Sequence, residues 1–403
     1  MKERALSGLR VLEFGNLVSV PYCGKLMADL GAEVIKVESP VIGDEARRRE
    51  PYRDDKPGVE RSGLFAYLNT NKLSVTLNPE TSKGKGIFME LIKGTDILLE
   101  NHPPGWMEEQ GLDYKTLERV NPMLIMTSIT PFGQTGPYRD YKAHELTTYH
   151  GGGYGFISTA TFREPVRPPV KGGGRQSQFG AALVGAVASM CAVFARELIG
   201  AGQHVDVSIL ECMAGQYEAY IQRWTFLKEE TGGLTHPIVQ PILPLPCKDG
   251  WIFLMCVQDH EFDKLVEVMG NPEWAQIELF ENRFTRADHM DALAILLEEW
   301  SRQYTKAEIF QMCRAARVPV GPGYTPDEVV NSEHLNFRAY FVDMDHPEIG
   351  PTRYPGAPYR FSETPWKIEQ RAPILGEHNQ EIFHGRLGYS KEDLVKLAQM
   401  GVI

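Results

Sequence analysis

At the mouth of a long apolar run, "KGGGRQSQFGAALVGAVASMCAVFARE" presents Arg175, Gln176, Ser177 and Gln178. A glycine-rich entry into a helix is a good place to display a catalytic group, because the first-turn amides have no partners within the helix. Here the displayed group is a carboxamide. It is neutral, its oxygen is a weak nucleophile, and it cannot carry an acyl group as a carboxylate does. Upstream, "YKAHELTTYHGGG" gathers Lys142, His144, Glu145 and His150, and a His–Glu neighbour pair suits proton transfer. Lys72 in "LNTNKLSV" reads either as a partner for a phosphate or, more commonly for such a residue taken alone, as a solvated turn lysine. In "ENHPPGWMEEQG", Asn101 and His102 precede a double proline that fixes a turn before Trp106, a suitable ligand wall. No H-E-x-x-H spacing points to a metal, and no G-x-S-x-G points to a serine hydrolase.

These residues must be positioned by the elements around them. "LRVLEF" reads as a strand, "VPYCGKLMADLG" as a helix closed by Gly31, and "AEVIKVE" as a second strand. "KLSVTL", "KGIFMELIKG", "DILLE" and "PMLIMTSI" continue as strand, helix, strand, strand. Alternation of this kind predicts a doubly wound α/β layer with parallel strands. Glu38, ending the second strand, stands where a ribose-binding acid would lie. The first turn lacks G-x-G-x-x-G, however, so its backbone cannot approach a pyrophosphate and an NAD site is not expected. After Trp224, "KEETGGLTHPIVQPILPLPCKDG" reads as a loop between domains. The strand "WIFLMCV" and the helices "HEFDKLVEVMG", "MDALAILLEEWSRQY" and "KAEIFQMCRAA" then predict a smaller α+β domain. The turn-rich tail is expected to return to the first domain.

Composition narrows the function classes. A net charge of −11 argues against nucleic acid as the main ligand. Six scattered cysteines, none in a C-x-x-C pair, suit reduced thiols in the cytoplasm, and the N-terminus shows no signal-peptide core. Phe179 to Ala195 is rich in Ala and Gly and reads as a buried helix, not a membrane span.

In order along the chain, "LSGLRVLEFG", "ADLGAEVIKVESP", "NTNKLSVTLN", "ENHPPGWMEEQGLDY", "NPMLIMTSITPFGQTGPYRD", "FARELIGAGQHVDVSILE", "CKDGW" and "APILGEHNQEIF" resemble the family III CoA-transferases. The resemblance implies a Rossmann-like large domain made of both termini (1–224 and 326–403), a small domain (225–325), and two chains threaded through each other as an interlocked dimer. It also implies CoA transfer from an acyl-CoA such as succinyl-CoA to a carboxylic acid such as benzylsuccinate. A CoA thioester would be the substrate, with no permanently bound cofactor. In such enzymes an aspartate attacks the thioester to give an anhydride. The CoA thiolate returns to form an aspartyl thioester, which the acceptor carboxylate then opens.

The resemblance places that aspartate at Gln178. The chain alone is therefore expected to be inactive, with a paralogous subunit supplying the aspartate, and Glu145 and His144 are outside candidates for chemistry. Val18, Ser19, Lys72, Leu73, Asn101, His102 and Lys142 are the implied CoA contacts. Two cations of relatives are missing: Ser39 and Glu109 stand in their places, and each lost charge-assisted contact weakens binding by about 1.5–3 kcal/mol. A loop that closes over the acyl group in relatives is replaced by the proline-rich "HPIVQPILPLP". The alternatives are an acyl-CoA racemase, for which His144 keeps one half of the acid–base pair, and a homodimer that binds CoA esters without turnover.

Overall fold

The computed structural model describes residues 4–157, 168–217, 219–229 and 240–403. They form two compact units. One comprises Met1–Gly153, Gly173–Tyr217 and Ala339–Ile403, and the other Tyr154–Gly172 and Glu218–Arg338. The expected small domain, 225–325, lies within the second of these.

The first unit is built on six strands: β1 (Arg10–Phe14), β2 (Glu33–Glu38), β3 (Lys72–Thr76), β4 (Ile97–Glu100), β5 (Ile125–Thr130) and β6 (His204–Ser208). Their order is β3-β2-β1-β4-β5-β6, with every pairing parallel. This is the α/β layer that the strand–helix alternation predicts. The strand order reverses between β1 and β4, so their carboxyl ends flank a crevice, the usual ligand position in such sheets.

Period-two alternation sorts the side chains onto two covered faces. Leu12 and Phe14 of β1 join Val37, Val75 and Leu98 in a core closed by helix α2 (Ser82–Ile92). Val11 points the other way, into a core with Val20, Cys23 and Met27 of helix α1 (Ser19–Asp29). Gly31, at φ +102°, ends that helix in a conformation that favours glycine. The tail does come back to this unit: Ile382, Phe383, Leu397 and Val402 complete the first core. "APILGEHNQEIF" closes the outer edge of β3, where Ser74 N–H donates to His378 Nδ1 (3.1 Å) and Thr76 N–H to Asn379 Oδ1 (2.8 Å). Those side chains satisfy an edge that would otherwise pair with another chain.

Two further helices, α3 (Glu145–Gly151) and α4 (Gln176–Ile199), bear on the site. The apolar run in α4 was expected to be buried, and only a stripe of it is. Ser177, Ala181, Ala182, Gly185, Ser189 and Ala192 face inward. The approach is close: a Cβ on Gly185 would lie 2.7 Å from Ile129 Cδ1. The large residues point out, with Val187 65% and Phe194 67% exposed. Small residues allow close backbone packing on one side, which leaves the bulky ones on the other. Among the described residues α4 is the one helix long and apolar enough to cross a membrane, by length and composition alone.

In the second unit, β7 (Ile242–Cys247), β8 (Gly250–Met255) and β9 (Val320–Gly323) form an antiparallel sheet in that order. Helices α5 (Asp259–Val268), α6 (Met290–Ser301) and α7 (Lys306–Ala316) pack on it around Leu243, Ile252, Phe262, Leu297 and Ile309. The expected loop from Lys228 to Gly250 needs correction, because Ile242–Cys247 is a strand despite Pro244 and Pro246. It lies at the sheet edge, where a missing N–H breaks no ladder bond on the outer side. Residues 230–239 of the same stretch, which include the first four residues of "HPIVQPILPLP", lie outside the described residues.

Candidate functional site

The first turn of α4 is held from outside. Glu145, the first residue of α3, is buried, and its carboxylate accepts from Ser177 N–H (2.9 Å), Ser177 Oγ–H (2.6 Å) and Gln178 N–H (3.3 Å). Ser177 Oγ also lies 2.9 Å from Thr148 Oγ1. A carboxylate is the complementary group here, because the free amides and the helix dipole both favour negative charge at this end. Three donors also draw electron density from the carboxylate oxygens, which makes them poor nucleophiles. Gln178 is half-buried one position beyond, and the ring of its neighbour Phe179 meets Tyr22 edge-on at 4.7 Å. His144, just before Glu145, and Lys142 are both exposed on the segment leading into α3.

The crevice between β1 and β4 gathers a second set. Asn101 Nδ2 donates to Asn16 O (2.8 Å) and Ser19 Oγ (3.1 Å), while its Oδ1 accepts from Asn16 N–H (2.9 Å). Val18 and Ser19 are buried beneath this staple. Asn101 thus ties the end of β4 to the loop after β1, and its amide is engaged within the fold. His102 stacks on Trp106 at 4.1 Å and 15° and touches Phe14 at 4.3 Å. Burial holds its imidazole down at about 4, so it is neutral at pH 7. Glu100, whose Oε2 accepts from His102 N–H (2.7 Å), is pushed up by burial to about 7.

Lys72 and Glu38 are both tied into the interior of the fold. Lys72 Nζ is fully buried and bonds Glu13 (2.7 Å), Pro21 O (2.7 Å) and Asn69 Oδ1 (2.9 Å), so its ammonium anchors α1 to the sheet and does not reach a phosphate. Burial lowers its pKa to about 8, against the pull of Glu13. Leu73, beside it in β3, is half-buried against the first core. Lys36 bridges Glu13 (2.8 Å) and Asp44 (2.7 Å) in the same interior. Glu38 accepts from Arg47 Nε (2.7 Å), Arg47 Nη2 (2.9 Å) and Ser74 Oγ (2.7 Å), which leaves it no role toward a ribose.

Over the carboxyl ends of β1 and β2 lies a cavity of about 560 Å³, within the range of small-molecule and cofactor sites. Phe14, His102 and Trp106 line it, as do Ser39, Arg48 and Arg49. Sequence reasoning singled out Trp106 and His102 but missed the two arginines. Nothing in the spacing of "GDEARRRE" says which arginine turns inward. Among the described residues, no group of three His, Cys, Asp or Glu is arranged to hold a metal ion.

Comparison with known proteins settles the family. The model for CoA-transferase family III matches residues 6–379. The chain belongs to that family. It is 34% identical over 406 residues to a succinyl-CoA–D-citramalate CoA-transferase of Chloroflexus aurantiacus, covering 99% of this chain and 98% of the relative. It is 32% identical to the BbsE subunit of succinyl-CoA:(R)-benzylsuccinate CoA-transferase from Thauera aromatica, covering 95% of this chain and 94% of that one. The β subunit of a succinyl-CoA–L-malate CoA-transferase of Chloroflexus aurantiacus is 31% identical, over 99% of this chain and 98% of the relative. Among solved structures, a CAIB/BAIF family protein from Brucella suis is similar, with a TM-score of 0.85 and 30% identity. That match covers 95% of this chain and 100% of the other. The enzyme class expected from the sequence, CoA transfer, is therefore that of the family to which the chain belongs.

Proposed function

We propose that this chain is the non-catalytic subunit of a heteromeric CoA-transferase that moves CoA from an acyl-CoA such as succinyl-CoA to a carboxylic acid such as benzylsuccinate, in anaerobic breakdown of an aromatic compound. One observation carries the proposal. At the first turn of α4 the residue in line for nucleophilic duty is Gln178, and the carboxylate that meets this turn, Glu145, is held by three donors as the cap of that helix. A carboxamide cannot form the anhydride that covalent transfer requires. The paralogous partner supplies the aspartate. The outward face of α4 suits such a partner: it borders an apolar groove lined by Leu26, Leu30, Val187, Met190 and Phe194, a patch that monomers rarely leave bare. Relatives named as α and β subunits, and as subunit BbsE, support a paired assembly.

The test is turnover by the chain alone and with an aspartate-bearing paralogue. Expected is transfer by the pair only, lost when the partner's aspartate becomes Asn and kept within about twofold when Gln178 becomes Ala, a change of under 0.5 kcal/mol in barrier. Robust transfer by the isolated chain, or an acyl or CoA adduct trapped on it, overturns the reading.

A further inference from the structure

We infer that Arg48 and Arg49 are the cations with which this chain holds the phosphates at the nucleotide end of a CoA thioester, standing in for the arginine missing at position 39. The inference rests on reading the crevice as a CoA site, and it makes that site a working one rather than a relic. Three observations converge on it.

First, Ser39, Arg48 and Arg49 line the same cavity, so a cation lost from the strand end is restored from the turn that follows. Second, that turn is rigidly placed. Asp44 caps it by accepting from Ala46 N–H (2.7 Å) and Leu17 N–H (2.9 Å), and is itself paired with buried Lys36 (2.7 Å). Arg47 points inward, where its guanidinium lies 3.6 Å over the ring of Phe65 and bonds Glu38 and Glu60. With Arg47 locked inside, the next two side chains are directed to the cavity. Third, Arg48 has no acidic partner among the described residues; its hydrogen bond goes to the neutral carbonyl of Ile42. Arg49 pairs with Glu45, which also lines the cavity, as does Glu80. A phosphate must therefore draw Arg49 away from Glu45, whereas Arg48 is available at once. Phe14, His102 and Trp106, packed together on the lining of the same cavity, offer an aromatic surface to a purine. Cations and rings lining one cavity fit a phosphorylated nucleotide better than a simple carboxylic acid.

The test is calorimetric titration of the full chain, alone and with its partner, using CoA and dephospho-CoA at two salt concentrations. Each of Arg48→Ala and Arg49→Ala is expected to weaken CoA binding about tenfold or more, with a shallower salt dependence. Glu45→Gln is expected to strengthen it a few-fold by releasing Arg49. Arg48→Lys should retain part of the affinity that Arg48→Ala loses. Both arginines are exposed, so unfolding midpoints should not move. Unchanged CoA affinity and salt dependence in the Arg48→Ala/Arg49→Ala double variant overturns the inference. So does a wild-type chain that binds no CoA at millimolar concentration. In either case the non-catalytic reading, decided by turnover of the complex, stands or falls separately.

Discussion

The crevice over β1 and β2 and the first turn of α4 are both polar sites at element ends, but they differ in what their polar groups are free to do. In the crevice the deep charges neutralise one another, and exposed Arg48 has no acidic partner among the described residues, only the carbonyl of Ile42. At α4 the Glu145 carboxylate accepts from Ser177 and Gln178, and the Gln178 side chain beyond it is an uncharged amide. On the proposed reading the first region binds an anion, while the second holds its shape without a nucleophile. Affinity and chemistry occupy separate parts of this fold, so one can lapse while the other persists. The heteromeric assembly proposed above would exploit that separability, with the partner carrying out the chemistry.

The largest effect should come from the crevice floor. Replacing Lys36 by Ala leaves Glu13 and Asp44 without their shared counter-ion in a dry interior, and should cost about 3–5 kcal/mol by denaturant unfolding. Asp44 caps the Arg48 turn, so CoA affinity should fall as well. A loss below 1 kcal/mol would mean that the floor is not built on these charges. Glu145→Ala comes next. It strands two amides and a hydroxyl at the start of α4 and should cost about 2 kcal/mol. CoA binding below the unfolding midpoint should nevertheless stay unchanged. If affinity falls along with stability, the two regions are coupled and the comparison fails.

Much of the parallel layer was legible because its strands are short apolar runs with period-two cores and its helices end at recognisable glycines such as Gly31. Less was legible where a residue's role depends on what folds against it. Lys72 looks like a phosphate ligand in "NTNKLSV", yet Glu13, nearly sixty residues upstream, claims its ammonium. Arg48 and Arg49 are indistinguishable from Arg47 until Phe65 and Glu38 take Arg47 inward. The strand at Ile242–Cys247 hid behind two prolines that only an edge position tolerates. That Gln178 bears no charge is a property of the residue itself, legible without a fold. The tying of Glu145 to α4 needed three dimensions.

The smallest effect is a pH dependence set in the crevice. Burial lowers the His102 imidazole to about 4, while an unfolded histidine titrates near 6.5. Between those values the unfolded chain takes up a proton that the folded chain refuses, so stability is full above pH 6.5 and is lost as pH falls toward 4. Glu100, raised by burial to about 7, acts with the opposite sign: its contribution is present below the unfolded carboxylate value and lost as pH rises through 7. The two neighbours oppose each other over roughly the same window, and the wild-type profile should be flatter than either alone. His102→Gln removes one arm. Relative to wild type it should gain up to about 2 kcal/mol on going from pH 7.5 to pH 5, at about 1.4 kcal/mol per unit. Unfolding curves at the two pH values for both proteins measure the difference. A variant that tracks wild type across the window would show that His102 is protonated in the folded chain, and that the stack with Trp106 admits water.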